Sequence, residues 1–129
     1  MSYYFAKTIS ASFEDAIEQV TAALRQEGFG VLTEIDVSAT MKKKLDKDFR
    51  PYRILGACNP QMAWQALQAE DKIGVMLPCN VIVQKIANDE IEIAAVDPVA
   101  SMSSVENENL GSIAADVRSR LQKVIESLK

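Results

Sequence analysis

A chain of 129 residues, 48% apolar and 25% charged, has the size and make-up of one globular domain with a real core, and residues 1–129 are read as that domain. A net charge of −4 argues against a general nucleic-acid or membrane-surface binder, and no apolar run approaches the ~20 residues that span a bilayer. Histidine is absent, which removes the commonest acid–base catalyst and the commonest metal ligand.

Residues 3–9 are short, aromatic and apolar and predict a first strand. Ser12 is a helix N-cap with Asp15 three residues on. Phe13, Ala16, Ile17, Val20 and Leu24 follow at helical spacing, and Gly28 sits where a helix ends. Phe29, Val31, Thr33, Ile35 and Val37 then alternate with Gly30, Leu32, Glu34, Asp36 and Ser38, the period of a strand with one face more apolar than the other.

Residues 39–48 are basic with a thin stripe of Ala39, Met41 and Leu45, and predict a short surface helix. Lys42, Lys43, Lys44, Lys47, Arg50 and Arg53 against Asp46 and Asp48 give residues 42–53 a net +4, leaving −8 for the rest. Pro51 ends that helix, and Tyr52–Cys58 is the next strand. Asn59-Pro60 opens another helix, since Asn caps well and Pro suits the first helical position. Met62, Ala63, Ala66 and Leu67 give that helix a modest inner face; Trp64 lies off that stripe and is assigned to ordinary core packing ahead of a lid over a pocket or a contact with a second subunit.

Ile73 to Ile86 is apolar and β-rich but broken by Pro78, which in a strand marks an edge, a bulge or a start. Asn88-Asp89 turns the chain into Ile91, Ile93 and Ala95 as a hairpin partner. Asp97-Pro98 closes that strand, and residues 99–109 are a polar connection. Leu110, Ile113, Ala114, Val117, Leu121, Val124, Ile125 and Leu128 trace the clearest amphipathic helix. This order predicts an α+β fold, an antiparallel sheet with helices on one face.

The two cysteines fall in near-copies of one segment, Gly56-Ala57-Cys58-Asn59-Pro60 and Leu77-Pro78-Cys79-Asn80-Val81. Cys58 immediately precedes a helix start, where amide donors and the helix dipole lower a thiol pKa. If the two strands are neighbours, the thiols come close together. The plain alternative is that both are buried small hydrophobes. Two cysteines without histidine do not make the four ligands of structural zinc within one chain unless carboxylates or a second subunit join, so no metal site is assigned. Asn59 has a sufficient role as a cap, and Asn80 can serve backbone groups beside Pro78. Arg50 or Arg53 reaching these segments would create an anion pocket, because a guanidinium grips carboxylate or phosphate in a fork.

Asp48-Phe49-Arg50-Pro51-Tyr52-Arg53-Ile54-Leu55-Gly56-Ala57-Cys58-Asn59-Pro60 and Gly74-Val75-Met76-Leu77-Pro78-Cys79-Asn80-Val81 resemble the signature segments of the DUF302 family, also called TT1751-like. Gly28-Phe29-Gly30-Val31, Asp36-Val37 and Val96-Asp97-Pro98 fit the same pattern, so the resemblance covers nearly the whole chain. It implies a fold similar to the TATA-binding-protein-like class: strand, helix, four antiparallel strands, C-terminal helix. It implies no established activity and no DNA binding, since fold does not carry function.

The first residues show no secretory leader, so the chain is expected to be cytoplasmic with both thiols reduced. The leading expectation is a domain that binds a small anionic ligand at Cys58, Asn59, Cys79 and Asn80, with Arg50 or Arg53 supplying charge. The alternatives are a thiol enzyme or redox sensor, with Cys58 as nucleophile and Cys79 as resolving partner, and a homodimerising structural module. No cofactor is assigned, and neither nucleic acid nor membrane is an expected partner.

Overall fold

The computed structural model describes residues 2–129. Five antiparallel strands form one sheet in the order β1-β5-β4-β3-β2, with β1 at Tyr4–Ser10, β2 at Gly30–Asp36, β3 at Tyr52–Cys58, β4 at Cys79–Ala87 and β5 at Glu90–Val96. The helices are α1 at Phe13–Gln26, α2 at Val37–Leu45, α3 at Pro60–Ala69, a single turn α4 at Pro98–Ser101, and α5 at Glu108–Ser127. Among the described residues no helix is long and apolar enough to cross a membrane.

The local signals explain most of these bounds. Ser12 Oγ accepts from the Asp15 amide at 3.1 Å and starts α1. Gly28, at φ +87°, ends it. A Cβ there would also lie 3.0 Å from Asn59 Nδ2, so glycine suits both the turn and the close approach. Asp36 caps α2 through the Ala39 amide, and Asn59 caps α3 through the Met62 amide.

The pleat divides the sheet into two surfaces. Ile9, Leu55, Val81, Val83, Ile91 and Ile93 point to one side and are buried. Against them lie Ala16, Val20 and Leu24 of α1 and Leu121, Val124 and Ile125 of α5. Each such fully buried aliphatic side chain is worth about 1.5–3 kcal/mol of transfer free energy. Lys7 faces the same side but reaches the end of α5, where its Nζ donates to the carbonyls of Glu126 and Leu128. The alternate residues, among them Tyr4, Tyr52, Asn80, Ile82, Gln84, Glu92 and Ala94, form an open surface that no helix covers.

The sequence reading fails at four places. Ile73–Met76 is not strand but part of a 3₁₀ turn, Asp71–Met76, with Ile73 buried in a second cluster beside Ala66 and Leu110. Pro78 has no N–H to give to a ladder, so pairing begins only at Cys79. β2 has no buried apolar row: it is an edge strand with a bulge between Val31 and Thr33, and Ile35 is 48% exposed. Residues 98–101 are helical within the expected connection, capped by Asp97 as α3 is by Asn59. Trp64 is 66% exposed, not core, because it lies two positions from both Met62 and Ala66 and so on the far side of α3.

Candidate functional site

The two Cys-Asn segments lie side by side at one end of the sheet. Ala57 pairs with Cys79 and Gly56 with Asn80, so Cys58 is one residue beyond the ladder partner of Cys79. Gly56 is the tightest point of this seam. A Cβ on it would lie 2.1 Å from Thr33 Oγ1 and 2.8 Å from Pro78 Cγ, so only glycine fits between β2 and the proline ring.

Cys58 and Cys79 line one cavity of about 40 Å³, together with Asn59, Met62 and Ala66 on the α3 side and Met102, Leu110 and Ile113 opposite. Its walls are almost wholly apolar. Burial pushes the Cys58 thiol pKa up. Burial first, and the nearby Cys58 charge second, push Cys79 to about 11. The expected lowering of Cys58 at the helix start is not found: the cost of placing a thiolate among apolar side chains raises it instead.

Neither arginine lines that cavity. Arg53 faces α1 instead, over the Phe13 ring at 5.5 Å. Its guanidinium meets Glu34 at 3.0 Å, Asp36 at 3.6 Å and Glu14 at 3.8 Å, and so is matched by the chain's own carboxylates. Its Nε is buried without a partner among the described residues. The surrounding lysines behave as a solvated helix face, with Lys42 between Asp46 and Asp48.

Asn80 is separated from Cys79 by the pleat and stands on the open surface. There it lines a cleft of about 420 Å³ with Tyr3, Tyr4, Tyr52, Ile82, Gln84 and Glu92. A polar chain runs through its lining. Gln84 Nε2 donates to Glu92 Oε1 at 2.8 Å, which turns Gln84 Oε1 toward Arg50, whose Nε donates to it at 2.8 Å. The Arg50 guanidinium also sits 4.4 Å from the Phe49 ring centre and 5.7 Å from that of Tyr52.

The structure thus divides the expected set. Cys58, Asn59 and Cys79 share the dry cavity, Asn80 and (through Gln84) Arg50 belong to the open cleft, and Arg53 stands apart. Tyr3, Tyr4, Tyr52, Gln84 and Glu92 were not singled out from the sequence as a site. For Tyr4, Tyr52, Gln84 and Glu92 the signal was present as the even-numbered positions of adjacent strands, but it needs the strand order to be read; Tyr3 lies just before β1 and carries no such signal.

A family model described as "Domain of unknown function DUF302" matches residues 5–128. The crystal structure of an uncharacterized conserved protein DUF302 from Bacillus stearothermophilus is similar over 100% of both chains, at 30% sequence identity and a TM-score of 0.91. No curated protein matches. Neither similarity names an activity.

Proposed function

We propose, for a chain that belongs to the DUF302 family, that it is a binding domain for a small carboxylate, held on the open face of its sheet. Several hollows on the chain are of small-molecule size, the cleft at about 420 Å³ among them, and the cysteine cavity at about 40 Å³ is not; the observation that carries the reading is the lining of the cleft. It has the right division of labour, with Ile82 and Ala94 as an apolar floor, Tyr4 and Tyr52 as walls, and Asn80 and Gln84 as polar anchors.

Arg50 is the charge this reading uses. Gln84 holds it by Nε, which leaves the terminal guanidinium nitrogens for a ligand carboxylate. Glu92 acts through Gln84, by fixing which end of that amide meets the arginine. The nucleophilic-thiol alternative is less well supported, since both thiol pKa values move away from neutrality.

The test is an amide-resolved NMR screen of small aliphatic and aromatic carboxylates. Binding should shift the amides of Tyr52, Asn80, Ile82, Gln84 and Ala94. Arg50→Gln should weaken it about 10- to 100-fold, the worth of one charge-assisted hydrogen bond. Shifts confined to Cys58 and Cys79, or none in the whole panel, would overturn the proposal.

A further inference from the structure

The dry cavity is too small for an organic molecule, yet at about 40 Å³ it exceeds the ~10–15 Å³ that one water needs. Its walls offer almost nothing to a water, an anion or a hard cation. What they do offer is sulfur. Cys58 closes β3, Cys79 opens β4, Met62 lies in the first turn of α3, and Met102 follows α4. Four different parts of the chain bring these residues to one hollow.

We propose that Cys58 and Cys79, helped by the thioethers of Met62 and Met102, form a site for a soft monovalent metal ion, copper(I) above all. Thiolate and thioether ligands select copper(I) over harder ions. Among the described residues no three of His, Cys, Asp and Glu gather to hold a metal, so a zinc-type set is not formed. A monovalent d¹⁰ ion has a smaller demand, and two sulfurs suffice for it. The surrounding apolar shell, with Ala66, Leu110 and Ile113, keeps water from competing.

Binding involves no electron transfer. Two S–H bonds break, two Cu–S bonds form as the copper(I) leaves the ligands that carried it, and two protons leave to solvent. An ordinary thiol, with a pKa of about 8.5, already carries its proton at neutral pH. The apparent affinity therefore rises about 100-fold per pH unit in that range, one factor of ten for each proton displaced.

The experiment is an anaerobic titration of the reduced full chain with copper(I) presented as its bicinchoninate complex, followed by X-ray absorption of the loaded protein. The expected result is one copper per chain, a sulfur-only shell and release of two protons. Cys58→Ala, at a half-buried position, should lose the competition while keeping its circular dichroism. Cys79→Ala should do the same, and Met62→Leu with Met102→Leu should weaken binding without abolishing it. The proposal is overturned if the wild type takes no copper from the competitor, if the shell is nitrogen or oxygen, or if Cys58→Ala binds like wild type. The carboxylate reading does not depend on this site, and its NMR screen contains no metal.

Discussion

Gly56→Ala tests the geometry of the seam between the two Cys-Asn segments. Gly56 is buried, and its φ is not positive, so alanine meets no backbone strain there. The whole cost lies in the added methyl, which starts 2.1 Å from Thr33 Oγ1 and 2.8 Å from Pro78 Cγ. Overpacking of this kind costs about 1–3 kcal/mol. Against it stands a gain of about 0.4–1 kcal/mol, because alanine has fewer unfolded conformations than glycine. The methyl wins, since the proline ring is rigid and cannot rotate away, and a net loss of about 1–2 kcal/mol is expected.

Urea unfolding measures this loss directly, and a double mutant identifies its source. Thr33→Ala removes the hydroxyl and leaves the Thr33 Cβ position at an ordinary 3.5 Å. Placed on Gly56→Ala, it should recover about 1 kcal/mol beyond additivity. Thr33→Ser keeps the oxygen and should recover nothing. If Gly56→Ala falls within 0.5 kcal/mol of wild type, or if serine rescues as well as alanine, the close approach is not what selects glycine.

Two further outcomes follow from the same region. Asn59→Ala should cost about 1 kcal/mol in urea unfolding and Asn59→Asp much less, because aspartate also accepts from the Met62 amide. Cys79 has a folded pKa of about 11 against an ordinary 9.0, so the folded state holds the proton more tightly than the unfolded one. Its contribution is therefore present below pH 9 and lost as pH rises toward 11. Across that window wild type should lose on the order of 2–3 kcal/mol relative to Cys79→Ala, and parallel stability curves would refute the burial of that thiol.

Local signals were legible and long-range ones were not. Ser12 and Asn59 announce their helices because a cap is made within three residues. The C-terminal helix is legible because its stripe from Leu110 to Leu128 is long enough to fix a period. Ile73–Met76 was misread because an apolar, β-branched run reports burial and not geometry. Asp97-Pro98 carries the same cap signal as Asn59-Pro60, yet from the sequence it reads as a strand end where a carboxylate caps or turns, and not as a helix start. Nothing local shows that Asp97 Oδ2 accepts from Arg118 at 3.1 Å, an interaction spanning 21 residues.

The candidate site failed in the sequence for a reason that the structure makes specific. Proximity along the chain grouped Cys79 with Asn80, and the likeness of the two segments grouped Asn80 with Asn59. A strand turns successive side chains to opposite faces, so one step along β4 separates Cys79 from Asn80 by the thickness of the sheet. Asn59 does another task, because there the chain has left β3 and the amide caps a helix. The repeated letters therefore record two different local solutions at adjoining places. What the two segments share is the register that seats Gly56 against Pro78 and brings Ala57 opposite Cys79. That register leaves a sulfur-lined hollow under the sheet and a polar cleft above it. Both are built on β4, through Cys79 below and through Asn80, Ile82 and Gln84 above. Substitutions confined to one row leave the other row in place, so the two sites can be examined separately in one molecule.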